Sequence, residues 1–191
     1  MRIGIFGGTF NPIHSGHAMI INYMSQSSFF EQIIVMVASQ NPLKTGVDKP
    51  TDLQRLEMVE MVTSKFSNVI VSDLEMKMKK PSYTIDTLNE LKKLKPEDSF
   101  SLIIGSDNWK NFKNWKSPLQ IIENYGVVIY QRPGYLIEDI LPENVFMAND
   151  CPLTDLSSTH IREIAAKKGN INFLVPLEVA EYIKCNHLYE Q

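Results

Sequence analysis

Cysteine is scarce in this chain of 191 residues, and no apolar run approaches the length of a membrane span. The two cysteines, Cys151 and Cys185, lack the CxxC spacing of a metal or redox pair, and we expect both to be reduced intracellular thiols. A membrane-spanning helix needs about 20 consecutive apolar residues. The sequence therefore favours a soluble, cytoplasmic protein without a membrane partner.

An excess of positive charge is also missing. The chain has 19 Lys and Arg against 22 Asp and Glu, which gives a formal net charge of −3. Affinity for nucleic acid depends on clustered basic side chains that neutralise phosphates, and the short run at 77–80 is more typical of a solvated loop. The composition thus excludes a nucleic-acid scaffold and leaves small anions as ligands.

Internal repeats and low-complexity segments are absent as well. The length suits one domain over residues 1–191, with a helical C-terminal part from about 156 to 191. A homo-oligomer is compatible with this sequence, which does not define the oligomeric state.

Short apolar runs rich in β-branched residues alternate with helix-length segments. The predicted strands are Arg2 to Phe6, Gln32 to Ala38, Asn68 to Ser72, Phe100 to Ile104 and Gly126 to Tyr130. The predicted helices are His17 to Met24, Leu53 to Phe66, Ile85 to Leu94, Leu119 to Asn124, Ser158 to Lys168 and Leu177 to Cys185. Thr51 and Gln54 fit a capping box, and Thr84 is placed to cap the helix that follows it. The alternation predicts an α/β, Rossmann-like doubly wound parallel sheet with helices on both faces and a small helical C-terminal subdomain.

The first predicted strand leads into the sequence GGTFNPIHSGH at residues 7–17, which we call the glycine-rich turn. Its glycines let the backbone approach an anion, while the helix start offers unpaired N–H groups and partial positive charge. His14 and His17 are three positions apart, so they lie on one face of that helix and add two donors. These features predict a phosphate site; a tight structural turn with two solvent-facing histidines is the alternative.

A second candidate phosphate site is the sequence LSSTHIR at residues 156–162, which we call the serine-rich segment. It places three hydroxyl residues at a predicted helix start, with Arg162 within about one turn. Hydroxyls, free N–H groups and a planar guanidinium can together hold phosphate oxygens. The alternative is an ordinary helix cap beside a surface arginine.

These motifs carry a family resemblance. GGTFNPIHSGH resembles the HxGH signature of the nucleotidyltransferase superfamily, and in detail the GGTFDPIHxGH of bacterial nicotinate-nucleotide adenylyltransferases. LSSTHIR resembles the ISSTxIR of the same family, and the sequences at 82–88, 105–107 and 132–134 resemble its SYTxxTL, GxD and RPG motifs. The resemblance spans nearly the whole chain. It departs from the family at Asn11, where Asp is usual, and at Leu43, where His is usual.

The resemblance implies an adenylyltransferase of NAD biosynthesis that joins ATP and nicotinate mononucleotide to give nicotinate adenine dinucleotide and pyrophosphate. Mg²⁺ is expected as an ion carried by ATP, because it prefers phosphate oxygens and water, and no protein metal site is expected. The implied catalytic residues are His14, His17 and Arg162. The implied ATP-binding residues are Gly7, Gly8, Thr9, Phe10, Gly16, Gly105, Asp107, Ser157, Ser158 and Thr159. The implied acceptor-binding residues are Ser39, Lys44, Arg55, Tyr83, Thr84, Trp115 and Arg132.

On the acceptor side, Trp115 is favoured over Trp109 for stacking on a pyridine ring, since an aromatic face binds a π-system or a cationic pyridinium. The segment from Ser82 to Thr84 is implied to present N–H groups to the ring carboxylate. A helix N-terminus favours a carboxylate over an amide, which favours nicotinate over nicotinamide. Nicotinamide mononucleotide or phosphopantetheine as acceptor, or a nucleotide-binding regulatory module without turnover, remain the alternatives.

Overall fold

A computed structural model of the chain describes residues 1–39 and 50–190. Its strands are β1 (Arg2–Gly8), β2 (Gln32–Val37), β3 (Val69–Ser72), β4 (Ser99–Gly105), β5 (Val127–Tyr130) and β6 (Val145–Ala148). Its helices are α1 (Ser15–Gln26), α2 (Asp52–Thr63), α3 (Leu74–Lys77), α4 (Thr84–Leu94), α5 (Ser106–Asn111), α6 (Pro118–Asn124), α7 (Ser158–Ala166) and α8 (Leu177–Cys185), with a 3₁₀ turn at Phe112–Asn114. Every predicted strand and helix is present, with boundaries shifted by a few residues.

Within the described ranges the six strands form one sheet in the order β3-β2-β1-β4-β5-β6, and all neighbouring pairs are parallel. The chain winds outward from β1 in one direction and then from β4 in the other. The predicted Rossmann-like doubly wound sheet is confirmed. Its strand order reverses between β1 and β4, and ligands of such sheets bind outside the carboxyl ends of the strands at that reversal.

Alternate residues of the strands pack against opposite layers of helices. On β2, Ile33 and Val35 face a core shared with α1, α2, α7 and α8, whereas Ile34 and Met36 face a core shared with α4 and α6. Both faces of a parallel sheet are covered in this way, which is why its strands are apolar throughout. The C-terminal helices α7 and α8 belong to the first of these layers.

Three short elements were not foreseen from the sequence: β6, α3 and α5. β6 is a short apolar run of four residues at the edge of the sheet, and its Phe146 is exposed. Helices α3 and α5 span four and six residues, too short for a repeating apolar pattern. No helix in residues 1–39 and 50–190 combines the length and apolar character that crossing a membrane requires.

The predicted helix caps were half right. Thr51 accepts a hydrogen bond from the Gln54 N–H while the Gln54 side chain accepts from the Thr51 N–H, which is the predicted capping box. The prediction for Thr84 is wrong, because Tyr83 is the N-cap of α4 and makes no side-chain cap bond. Thr84 is instead the first helical residue, so the start of α4 keeps free backbone N–H groups.

Candidate active site

The two histidines of the glycine-rich turn form the start of α1. His14 is the N-cap, and its Nδ1 accepts a hydrogen bond of 3.3 Å from the backbone N–H of His17. The Nδ1 of His17 in turn accepts from the backbone N–H of His14, also at 3.3 Å. The rings stack with centroids 3.6 Å apart. Imidazoles thus fill both places of a capping box, a motif usually built from Ser or Thr and Glu or Gln.

This arrangement sets the protonation of both rings. Burial, aided by the positive charge of Arg132, lowers the pKa of His14 to about 4. Burial, His14 and Arg132 together lower the pKa of His17 well below its ordinary value. Both imidazoles are therefore neutral at pH 7, and since each Nδ1 accepts from the backbone, each proton is on Nε2. The site contains two neutral N–H donors in fixed tautomers.

The rest of the glycine-rich turn is shaped for close approach. A Cβ added to Gly7 would meet nothing within 4 Å, whereas one added to Gly16 would lie 2.9 Å from Thr154 Oγ1 and 3.1 Å from Nδ1 of His14. Gly7 therefore leaves open space beside the backbone for a ligand. Gly16 avoids a clash with Thr154 and His14, so the capping box of the two histidines can form. Phe10 is only 2 % exposed and packs edge-on under His17, with ring centroids 5.0 Å apart. Its side chain supports the turn rather than facing solvent.

The serine-rich segment meets the glycine-rich turn directly. Ser158 Oγ donates to the backbone oxygen of Pro12 at 2.9 Å, and Arg162 Nη1 donates to the backbone oxygen of Asn11 at 2.7 Å. Arg162 Nη2 also donates to Thr159 Oγ1 at 3.1 Å. The guanidinium is thereby held at the edge of the turn. Ser157 is the N-cap of α7 and accepts from the N–H of His160, as the sequence predicts for a hydroxyl residue at that place.

Arg132 and the start of α5 form a third side of the site. The Arg132 backbone N–H donates to Ser106 Oγ, and its Nη1 donates to the backbone oxygen of Thr154, both at 2.9 Å. A Cβ on Gly105 would lie 2.3 Å from Asp107 Oδ1, so any other residue there would displace the Asp107 carboxylate. That Oδ1 is buried without a hydrogen-bond partner among the described residues, which leaves an acceptor for a ligand hydroxyl.

A cavity of about 330 Å³ opens at the carboxyl ends of β1, β2 and β4, beside the glycine-rich turn. Trp115 and Thr84 lie in its wall, as do Gly7, Gly8, Thr9 and Gly105. Trp109 instead stacks on Phe112 and is not among the described residues of this wall. The structure therefore places Trp115, and not Trp109, where a planar ligand could stack.

The comparisons with known proteins agree with this geometry. Residues 5–164 match the family described as cytidylyltransferase-like. A protein of Bacteroides thetaiotaomicron named "Probable nicotinate-nucleotide adenylyltransferase" is 38% identical, with 96% of this chain and 91% of that protein covered. One of Flavobacterium johnsoniae with the same name is 39% identical over the full length of both. The chain belongs to the nicotinate-nucleotide adenylyltransferase family.

Solved structures share the fold of this family member. The nicotinic acid mononucleotide adenylyltransferase of Plasmodium falciparum, complexed with NaAD, has a TM-score of 0.83 at 22% sequence identity. The comparison covers 98% of this chain and 97% of that one. A second structure of that protein, complexed with APC, has a TM-score of 0.82. The predicted fold and family are both confirmed.

Arg55 and Ser39, two of the acceptor-side residues predicted for this family member, lie in a hydrogen-bond network outside the cavity wall. Arg55 is completely buried: it donates to the backbone oxygen of Thr9 and pairs with Asp52 at 2.7 Å. From this buried position Arg55 does not reach a substrate phosphate, which corrects the prediction. Arg55 instead stabilises the glycine-rich turn through its hydrogen bond to the backbone of Thr9. Ser39 donates to the other oxygen of Asp52 at 3.4 Å and so joins the same network.

The remaining acceptor-side predictions have mixed outcomes. Tyr83 is the N-cap of α4, so its backbone lies at the start of that helix. Its side chain is exposed, with Lys116 Nζ 4.6 Å from the ring centroid. Arg132 lies beside the histidines rather than in the wall of the cavity, on the side expected for ATP. Lys44 and Leu43 lie outside the described residues.

Sequence reasoning missed Glu75, Thr87 and Asn108, which are polar residues of the cavity wall. The side chains of Glu75 and Thr87 hydrogen bond to each other at 2.8 Å. Glu75 stands in a charged stretch with no periodic pattern, and the helix that carries it has only four residues. Thr87 is within the SYTIDTL motif, which marks the segment but not this contact. Nothing local in the sequence shows that these two residues meet.

Proposed function

We propose that this protein transfers the adenylyl group of ATP to nicotinate mononucleotide, giving nicotinate adenine dinucleotide and pyrophosphate in NAD biosynthesis. The observation that carries the proposal is the meeting of two segments 151 positions apart, at the contact between Arg162 and Asn11. Through that contact and the one between Ser158 and Pro12, a guanidinium and a hydroxyl-rich helix start reach the same turn that carries the two imidazole donors. Such a constellation suits the polyphosphate of a nucleotide.

The chemistry requires no nucleophile from the protein. The 5′-phosphate of the acceptor is largely deprotonated at neutral pH and attacks the α-phosphorus of ATP in line; the new P–O bond forms as the bond to pyrophosphate breaks. Catalysis then consists of positioning two polyanions and stabilising the charge on the transferring and leaving oxygens. His14 and His17 supply Nε2–H donors to the transferring group, while Arg162 and the start of α7 hold the departing pyrophosphate.

Neutral donors fit this task. An imidazolium would bind the ground-state triphosphate strongly and could lose its proton to it, whereas a neutral N–H strengthens its hydrogen bond as negative charge builds up on the acceptor oxygen. The lowered pKa of His14, about 4, keeps the ring in this form throughout the physiological range. The fixed tautomer costs no reorganisation during the reaction.

The acceptor is proposed to occupy the cavity of about 330 Å³. Trp115 offers a face for the pyridine ring, and the free N–H groups at the start of α4 suit an anionic substituent. Relatives at 38% and 39% identity carry the name "Probable nicotinate-nucleotide adenylyltransferase", which supports the same acceptor.

Mg²⁺ is proposed to arrive with ATP. Around the glycine-rich turn, the imidazole and backbone N–H groups and the guanidinium are donors, which bind phosphate oxygens and not a divalent cation. In the described part of the chain no three His, Cys, Asp or Glu side chains converge on a common point. The ion would neutralise charge on the phosphates.

The test is a pyrophosphate-release assay with ATP and each of three acceptors: nicotinate mononucleotide, nicotinamide mononucleotide and phosphopantetheine. We expect release with nicotinate mononucleotide to be the fastest, and mass spectrometry to show nicotinate adenine dinucleotide in equal amount. Faster turnover of another acceptor would overturn the acceptor assignment. ATP binding without release under any condition would identify a regulatory module instead.

A further inference from the structure

Glu75 is the acidic side chain in the wall of the cavity. It lies on α3, and its Oε1 accepts a hydrogen bond of 2.8 Å from Thr87 Oγ1 on α4. Its second oxygen, Oε2, has no hydrogen-bond partner within residues 1–39 and 50–190. Thr84, the first residue of α4, lines the same cavity. The carboxyl group of Glu75 is thus one hydrogen bond from the first turn of α4, with one oxygen free for a ligand.

The surroundings of Glu75 disfavour its ionised form. Burial raises the pKa of this carboxyl, and the hydrogen bond from Thr87 only partly opposes the effect. The other charged groups of these two elements have partners elsewhere. Asp73 pairs with Lys77 at 2.8 Å, Asp86 with Lys116 at 2.9 Å and Glu90 with Lys93 at 3.0 Å, and Lys92 donates to the backbone oxygens of Pro96 and Asp98. Tyr130, the other titratable group of the wall, stays neutral because burial raises its pKa. Among residues 1–39 and 50–190, no cation is paired with the carboxylate of Glu75.

An acceptor with a ring carboxylate would bring a second carboxyl group to this end of α4. Two carboxylates that share one site cannot both stay ionised at little cost, so one of them takes up a proton. The desolvated Glu75 is the better proton acceptor, because a pyridine carboxylic acid is the stronger acid. A carboxamide on the ring would impose no such demand.

We propose that Glu75 determines how the enzyme distinguishes a carboxylate from a carboxamide on the acceptor ring, by taking up a proton from solvent and donating it in a hydrogen bond to the ring carboxylate. The proton returns to solvent when the ligand leaves. This inference rests on the proposed function, since it requires a pyridine mononucleotide in the cavity.

The inference is tested by the pH dependence of binding. The dissociation constants of nicotinate and nicotinamide mononucleotides are measured by calorimetry between pH 6.5 and 8.5, with a non-hydrolysable ATP analogue present. Their ratio is the quantity of interest, because both ligands carry the same titrating phosphate. If Glu75 must be protonated, the nicotinate-to-nicotinamide ratio of dissociation constants rises with pH, by up to about tenfold per unit.

Two variants distinguish the effect of the Glu75 proton from the effect of the size and shape of its side chain. Glu75→Gln can accept from Thr87 through Oε1 and donate permanently through Nε2, so we expect tight nicotinate binding and a ratio independent of pH. Glu75→Met fills the space without a donor, so its ratio should also be flat but at least about tenfold higher. Glu97→Gln, an exposed site outside the cavity, is the matched control and should keep the wild-type slope.

Proton uptake gives a readout that needs no variant. Titrations of the wild-type protein in buffers of different ionisation enthalpy should show more protons taken up with nicotinate than with nicotinamide mononucleotide. A flat wild-type ratio with equal uptake, or an unchanged slope in Glu75→Gln, overturns the role of Glu75 and leaves the proposed function intact. If pyrophosphate is never released with either mononucleotide, the proposed function fails instead.

Discussion

Two uncharged imidazoles stand where a phosphate-binding turn would ordinarily be expected to present cations. His14 and His17 each give their Nδ1 to a backbone N–H, so the polypeptide itself selects the Nε2–H tautomer. The nearby charge of Arg132 and the burial of the site keep both rings neutral. Positive charge thus comes from the arginines and the helix starts, and the histidines contribute directional donors.

Replacement of His17 by Ala removes one of these donors. We expect kcat for adenylyl transfer to fall by about 100-fold or more, because a preorganised donor to developing charge is lost. Steady-state kinetics with ATP and nicotinate mononucleotide measure the effect. The matched control is His187→Ala, since that side chain is 79% exposed and its Nδ1 lies 3.4 Å from Glu190 Oε2. Near-normal kcat in His17→Ala would refute the role given to this residue.

Trp115 is expected to act on the other substrate. Its removal in Trp115→Ala takes away a stacking face worth roughly 0.5 to 2 kcal/mol, so the KM of the acceptor should rise by about 2- to 30-fold while the KM of ATP changes little. Initial rates over a grid of both substrates separate the two constants. Trp109→Ala is the comparison, because Trp109 packs on Phe112 outside the cavity wall. A defect confined to ATP would show that the acceptor binds elsewhere.

At the scale of elements, the start of α1 makes stability depend on pH. The folded pKa of His14 is about 4 against 6.5 when unfolded, so between these values only the unfolded chain takes up the proton. The free energy of unfolding must therefore fall as the pH drops from 6.5 towards 4, by about 3 kcal/mol for this residue. Above pH 6.5 the contribution of His14 to the free energy of unfolding no longer changes with pH.

His14→Asn isolates that contribution. Asparagine is a preferred N-cap and does not titrate, so we expect stability near the wild-type value at pH 8 and a gain of about 2 to 3 kcal/mol relative to wild type at pH 4.5. Urea unfolding at both pH values provides the measurement. The control is His160→Asn, at an exposed position on α7, which should leave the unfolding free energy at pH 4.5 at the wild-type value. If the difference in unfolding free energy between wild type and His14→Asn were the same at both pH values, the lowered pKa of His14 would be contradicted.

Elements and site differ in how far the sequence could predict them. The predicted strands and helices were identified because burial on both faces of a strand, or on one stripe of a helix, leaves an apolar pattern in the sequence. Helix α3 is too short to show such a pattern, and β6 is an edge strand whose Phe146 is exposed. The glycine-rich turn and the serine-rich segment are local motifs and were found. Arg55 was misplaced because its partner Thr9 is 46 positions away, and an arginine on a helix is ordinarily exposed. The Thr87 contact of Glu75 likewise depends on how α3 and α4 pack.

At the scale of the whole molecule, the two ends of the chain close on the same turn. Tyr189 Oη donates to Asn11 Oδ1 at 2.6 Å, and Arg162 donates to the backbone oxygen of the same residue. The side chain of Asn11, which replaces the family's usual Asp, is thereby satisfied without a negative charge. The full positive charge of Arg162 remains for a polyanionic ligand. Packing of the C-terminal part is thus coupled to the geometry of the phosphate site.

Tyr189→Phe tests this coupling. It leaves Asn11 Oδ1 without its partner in a largely buried place, so we expect a loss of about 1 to 2 kcal/mol in stability together with a severalfold rise in the KM of ATP, because Asn11 also positions Arg162. Tyr182→Phe is the matched control: Tyr182 donates its hydroxyl to Glu57, which ties α8 to α2 away from the turn. That variant should lose stability with the KM of ATP unchanged. If the KM of ATP rose equally in the two variants, the C-terminal helix would act only through general stability. If Tyr189→Phe changed neither the stability nor the KM of ATP, the C-terminal part would not be coupled to the site.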